Sequence, residues 1–217
     1  MLGDRKYSSR DHKLRQAPSS VSREEYFGQQ PSSHIRGYRK IADAAEAFNF
    51  DFKNKVVLDI GSSTGGFTKY ALDHGAKKVI AIEKGTNQME KPLRFDHRIE
   101  LHEKTDIFDV KIAPQETPEI IVADVSFITL TAVLCHAKRF LSNENTDFLV
   151  MLKPQFEAEP FQLKSGVVKN EKIRREIIKK FESWLKNHQF ITINKRDNRL
   201  KGKTGNTERF YYLKLAK

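Results

Sequence analysis

The chain has 217 residues, 39 Lys and Arg against 28 Asp and Glu, a formal net charge of +11 and 38% hydrophobic residues. This length accommodates one α/β domain plus a short extension, and the lone cysteine, Cys135, excludes an intrachain disulfide. No apolar run reaches the length of a membrane span or a signal-peptide core, so a cytoplasmic protein with a polyanionic partner and no membrane attachment is expected.

Residues 1–35 are rich in Ser, Gln, Arg and Lys and contain Pro18 and Pro31, which predicts a basic, flexible arm ahead of the domain. Tyr38, Ile41, Ala42, Ala45 and Phe48 then recur at helical spacing, with Lys40 beside the apolar stripe. After Asn54 short apolar runs alternate with helical patterns: Val56-Leu58, Val79-Ile82, Ile120-Ala123 and Phe148-Leu152 read as strands buried on both faces. Helices are expected over 66–74, 129–141 and 170–187, the last capped by Asn170 and packing through Ile173, Ile177, Ile178, Phe181, Trp184 and Leu185. Val133 and Leu134 predict a buried helical position for Cys135. Strands near 189–194 and 207–215 close a doubly wound α/β domain over residues 36–217.

Asp59, Glu83, Asp124 and Lys153 each terminate a strand candidate. Ligands of open parallel sheets bind beyond the carboxyl ends of the strands, so this succession of charges predicts a lined site. The first strand runs into Asp59-Ile60-Gly61-Ser62-Ser63-Thr64-Gly65-Gly66-Phe67, a glycine-rich turn that admits a ligand to the backbone and opens a helix with free N–H groups. Ser63 stands at the second glycine position of a dinucleotide fingerprint. The spacing fits instead the looser loop that cradles the amino-acid end of S-adenosylmethionine. Glu83 is placed to grip ribose hydroxyls and Asp106 to face the adenine, with Asp124 at the same edge. Gly202-Lys203-Thr204 imitates the end of a phosphate-binding loop, but Asp197 holds the required earlier glycine position and no helix pattern follows. Either a basic turn or a phosphate contact remains open there.

At Asp124-Val125-Ser126-Phe127-Ile128, Lys153-Pro154-Gln155-Phe156-Glu157, Gly166-Val167-Val168, Lys201-Gly202 and Gly205-Asn206-Thr207-Glu208 the chain resembles the TlyA (haemolysin A-like) family of ribosomal-RNA 2′-O-methyltransferases, related to FtsJ-type enzymes. The match runs from about Arg36 to Leu215. It implies a mostly parallel, seven-stranded, Rossmann-like class I methyltransferase fold. It also implies S-adenosylmethionine as methyl donor, no metal, and ribosomal RNA or a ribosomal subunit as partner, with cytidine as the acceptor nucleotide. The family's Lys-Asp-Lys-Glu tetrad falls on Lys40, Asp124, Lys153 and Glu208. A ribose hydroxyl is a poor nucleophile and must lose its proton as it attacks, so a lysine freed of its own proton by burial or a neighbouring cation is the residue type this chemistry needs.

The resemblance has gaps. The family's N-terminal RNA-binding domain is not found, and the basic arm stands in its place. Tyr38-Arg39 precede Lys40 where small or aliphatic residues are usual, and Glu83 and Asp106 replace the usual Asp and Asn. A membrane-acting haemolysin is a rival reading, but no amphipathic free helix supports it. A SAM-binding RNA module without catalysis is opposed by the complete tetrad. A base as acceptor would call for prolines after Asp124, where Val125-Ser126-Phe127 stand.

Overall fold

The computed structural model describes residues 36–202 and 204–216; the basic arm expected over 1–35 lies outside the described residues. The chain order is α1 (Arg36–Phe48), β1 (Val56–Ile60), α2 (Gly66–Asp73), β2 (Lys78–Glu83), α3 (Lys91–Arg94), β3 (Ile99–Glu103), β4 (Ile120–Ala123), α4 (Leu130–Phe140), β5 (Asp147–Leu152), α5 (Pro154–Glu157), α6 (Glu171–Asn187), β6 (Phe190–Asp197) and β7 (Arg209–Leu215). They build one seven-stranded sheet in the order β3-β2-β1-β4-β5-β7-β6. The first five strands run parallel, and β7 inserts antiparallel between β5 and β6.

The apolar runs are continuous because both sheet faces are covered. Along β5, Phe148, Val150 and Leu152 point into a core with Leu134 of α4 and Phe181 of α6, while Leu149 and Met151 point into a second core with Ile41 of α1 and Tyr70 of α2. This is the two-residue period of a strand, with both phases apolar. Strand order reverses between β1 and β4, which opens the crevice at their carboxyl ends.

The helices end close to where their caps predict. The Asn170 side chain accepts from Lys172 N (2.8 Å) and Ile173 N (3.4 Å), and Thr129 accepts from Ala132 N (3.3 Å). Three expectations need correction. Asp59 is not the strand end: β1 continues to Ile60, and Asp59 is fully buried inside it. Cys135 is exposed, because the buried stripe of α4 is Leu130, Val133, Leu134 and Ala137 and Cys135 falls off it. The last hairpin pairs Phe190 with Leu215 through to Asp197 with Arg209, so β6 runs three residues beyond the end expected near 194. Ladder hydrogen bonds, rather than burial, extend this exposed edge strand.

No helix among the described residues is long and apolar enough to cross a membrane.

Candidate active site

The glycine turn after β1 has the backbone its sequence requires. Gly61 (φ 81°), Ser63 (φ 48°) and Gly65 (φ 90°) are left-handed, and a side chain at Gly61 would press on the Asp124 carbonyl at 3.2 Å. Glu83, the last residue of β2, laces this turn to the next one: its carboxylate accepts Ser63 N at 2.8 Å and Gly85 N at 2.7 Å. Asp106 accepts Phe108 N at 3.2 Å and pairs with Lys84, the residue after Glu83, at 2.8 Å.

Asp59 lies beneath the turn. Burial pushes its carboxyl up to about 7, against the opposing hydrogen bond from the Thr68 hydroxyl at 2.6 Å. Its Oδ1 and the Ser62 hydroxyl are buried without a hydrogen-bond partner. Two residues assigned to the turn's ligand face point elsewhere. The Phe67 side chain belongs to the core, its ring 5.9 Å from that of Phe210, and the bare Cα of Gly66 is occupied by α1. Only their backbone N–H groups remain for a ligand. Thr64 is exposed, its carbonyl accepting Glu90 N at 3.3 Å.

The structure brings Lys40, Asp124, Lys153 and Glu208 together from α1, the end of β4, the end of β5 and the start of β7. Lys40 Nζ lies 2.7 Å from Glu208 Oε2 and 3.7 Å from Asp124 Oδ2; Lys153 Nζ lies 2.7 Å from Asp124 Oδ1. The contacts to Glu208 Oε2 and Asp124 Oδ1 miss hydrogen-bond angles, so they act as charge pairs. The result is an alternating row, Glu208–Lys40–Asp124–Lys153. Glu208 and Lys40 are buried at 2% and 6% exposure, whereas the Asp124 side chain retains 20%. Two cations against two anions make the row neutral, which offsets part of the cost of burying each charge.

Several residues that shape this site were invisible as functional positions, although most lie inside the quoted motifs. Ser126 Oγ accepts from Lys153 Nζ at 2.8 Å. Glu157 accepts Leu130 N at 2.6 Å, tying the segment after β5 to the start of α4; burial raises its carboxyl above the ordinary range. Asn206 receives Val168 N and donates to Gly166 O, both at 3.0 Å, so motifs 40 positions apart are one unit. Gly202 closes that turn (Gly202 N to Asn206 O, 2.8 Å), and a side chain there would strike Glu208 Oε1 at 2.8 Å. Gly202 therefore makes room for the glutamate within a tight turn. Phe127 stands beside this cluster, 88% exposed with a left-handed backbone (φ 66°), its ring 5.2 Å from Phe156. A bulky side chain held both strained and exposed suggests a ligand contact.

A family model for FtsJ-like methyltransferases matches residues 34–215. The chain belongs to that family. It is 36% identical over 176 residues to Hemolysin A of Brachyspira hyodysenteriae, covering 80% of this chain and 73% of the relative. It is also 36% identical over 179 residues to the 23S rRNA (cytidine-2′-O)-methyltransferase TlyA of Campylobacter jejuni, covering 82% and 69%. Among solved structures, a protein described as a hemolysin from Lactococcus lactis superposes with a TM-score of 0.79 at 32% identity, covering 83% of this chain and 88% of that one. The FtsJ-like chain described here is thus a methyltransferase with a Rossmann-like sheet.

Proposed function

We propose that this methyltransferase moves a methyl group from S-adenosylmethionine to a ribose 2′-hydroxyl of RNA, with ribosomal RNA as substrate and a cytidine as acceptor. One observation carries the reading: the Glu208–Lys40–Asp124–Lys153 row at the carboxyl edge of the sheet, next to the glycine turn. The name of the Campylobacter relative supports the substrate.

The residues around the turn fit the methyl donor. The orphaned Asp59 Oδ1 and Ser62 hydroxyl offer unmatched polar groups at a turn that the left-handed Gly61 and Gly65 bend around the site. Gly61, Ser62, Ser63, Thr64 and Gly65 would hold the amino-acid end, with the N–H groups of Gly66 and Phe67 at the helix start. Glu83 would exchange its backbone partners for ribose hydroxyls, and Asp106 would face the adenine. When bound, S-adenosylmethionine supplies an electrophilic methyl group on a sulfonium.

The chain's own part is to position the acceptor hydroxyl and take its proton. Lys153 is better placed than Lys40 for the proton: discharging Lys153 breaks one ion pair, and discharging Lys40 breaks two. In this reading Lys40 keeps its charge, and Asp124 and Glu208 orient the two amino groups. Holding hydroxyl and methyl in line supplies much of the rate. Phe127 offers its exposed face to a base, and the basic arm over 1–35 would add phosphate contacts.

The test is transfer of labelled methyl to ribosomal RNA, followed by mapping of 2′-O-methyl positions in RNA from cells with and without the gene. A mapped ribose mark that disappears with the gene supports the proposal; a base methyl in its place refutes it.

A further inference from the structure

Three glycines of the turn after β1 have different reasons for being glycine. Gly61 and Gly65 carry φ values of 81° and 90° that side chains disfavour. Gly66 has no such conformation; it is the first residue of α2, where alanine would favour the helix by about 1 kcal/mol. Space is the constraint at Gly66. A Cβ there would lie 2.6 Å from Tyr38 N and 2.7 Å from Gly37 Cα, backbone atoms of α1. Gly37 answers from the other side, its own added Cβ falling 3.3 Å from Gly66 Cα. Two helices touch backbone to backbone at a pair of glycines.

Gly37 lies three residues before Lys40, on the same face of α1. α1 has further ties: Asp43 pairs with Arg196 at 3.5 Å and with Arg199 at 3.3 Å, and the Arg36 guanidinium donates to the Lys201 carbonyl. A push at Gly66 would therefore shift α1 against these contacts and carry Lys40 with it.

We propose that the Gly37–Gly66 contact is a positioning device for Lys40, setting the depth at which its amino group meets Glu208 and Asp124. A Cβ at Gly66 would press on α1 and so act on methyl transfer through Lys40, while the backbone N–H of Gly66 keeps its place beside the methyl donor. This rests on the reading of Lys40 as part of the transfer machinery. An alanine at Gly66 needs α1 to move by roughly an ångström to reach ordinary contact distances, and a displacement of that size costs on the order of 100-fold in rate.

A double-mutant cycle on the full chain tests this, with single-turnover methyl transfer to ribosomal RNA as the readout and calorimetry for S-adenosylmethionine. Gly66→Ala should fold and, at saturating S-adenosylmethionine, lose transfer by about 10- to 100-fold. Gly37→Ala, outside the turn that holds the methyl donor and with a milder contact, should bind S-adenosylmethionine within about twofold of the parent and lose less. In a Lys40→Ala background, Gly66→Ala should cost nothing further. If Lys40→Ala is too unstable to assay, Lys40→Gln, which keeps a donor toward Glu208, takes its place. If Gly66→Ala fails to fold, Gly37→Ala completes the cycle. An undiminished Gly66 penalty without Lys40, a loss of S-adenosylmethionine affinity in Gly37→Ala that accounts for its loss of transfer, or full activity of both alanine variants overturns the proposal. Full activity of Lys40→Ala would instead overturn the reading of the charged row, a distinguishable result.

Discussion

Removing the Lys153 amino group is the most direct perturbation of the charged row. Its Nζ meets Asp124 Oδ1 at 2.7 Å and Ser126 Oγ at 2.8 Å. In Lys153→Ala the Asp124 carboxylate keeps Lys40 at 3.7 Å and is 20% exposed, so water can replace part of the lost pairing. The fold should therefore lose only about 1–2 kcal/mol, well short of the 3–5 kcal/mol typical when a fully buried pair is broken. Transfer should fall by about two to four orders of magnitude, equivalent to roughly 3–5 kcal/mol of barrier, with S-adenosylmethionine and RNA binding retained. Lys153→Arg keeps a cation for Asp124 but cannot accept a proton, so it should be no faster than the alanine variant. Single-turnover transfer, calorimetry and denaturant unfolding measure the three quantities separately. The acceptor is checked with RNA carrying 2′-deoxyribose at the mapped site, which should bind and not react. Wild-type turnover by Lys153→Arg, or methylation of the deoxy substrate, would refute the assignment of Lys153 as base.

Asp59, held near 7 by burial, is protonated in the fold at pH values where the unfolded chain has already lost that proton, so its stabilising share is complete at low pH and vanishes as pH rises through about 7. Asp59→Asn should thus match the parent near pH 4 and exceed its unfolding free energy by roughly 3 kcal/mol at pH 8, read by urea denaturation across pH. Asp197 behaves oppositely: burial would raise its carboxyl, but hydrogen bonds and charge pairing from Arg209 and Arg174 outweigh it and hold the carboxyl below the ordinary range. Asp197→Asn should cost at most about 1 kcal/mol at neutral pH, after allowing for its part exposure, and this difference should disappear as the parent loses the pairing in acid. Phe127→Ala should weaken RNA binding by about 1–3 kcal/mol, as expected when a base loses a stacking partner. Thermal stability and S-adenosylmethionine affinity should hold, and an unchanged RNA affinity would remove Phe127 from the interface.

The fold was legible because period and punctuation agreed. β5 is apolar in both phases, α6 carries a clean stripe behind Asn170, and glycines follow β1 where the turn needs them. Asp124 and Lys153 were legible as strand ends, but Lys40 and Glu208 by likeness alone, since they lie 168 positions apart and nothing in local periodicity joins them. What the pattern could not reveal was direction. Phe67 lies within the stretch expected to bind the ligand, yet its side chain faces the core. Cys135 follows two aliphatic residues and still faces outward, because a helix turns about 100° per residue and neighbours in sequence do not share a face. Gly66 reads like its neighbours in the turn, and only the approach of α1 distinguishes it.

The motifs that carry the likeness do unequal work, and their bonds separate the roles. Glu157 fastens the segment after Lys153 to the first N–H of α4, while Ser126 meets Lys153 itself. Asn206 fastens the 166–168 turn to the turn that Gly202 closes against Glu208. The segments flanking Lys153 and Glu208 are thus cross-linked by hydrogen bonds independent of the charged row. Such bonds restrict the loops before any substrate arrives, so less ordering remains to be done in the reaction. Phe127 has no such tie through its side chain; its ring meets Phe156 and otherwise faces outward. In the proposed reading the site therefore divides into a fixed row that would handle the proton and an exposed ring that would adjust to the acceptor. Variation at Phe127 should accordingly alter which nucleotide is accepted before it alters the chemistry, whereas variation at Asn206 should slow the chemistry for every acceptor alike.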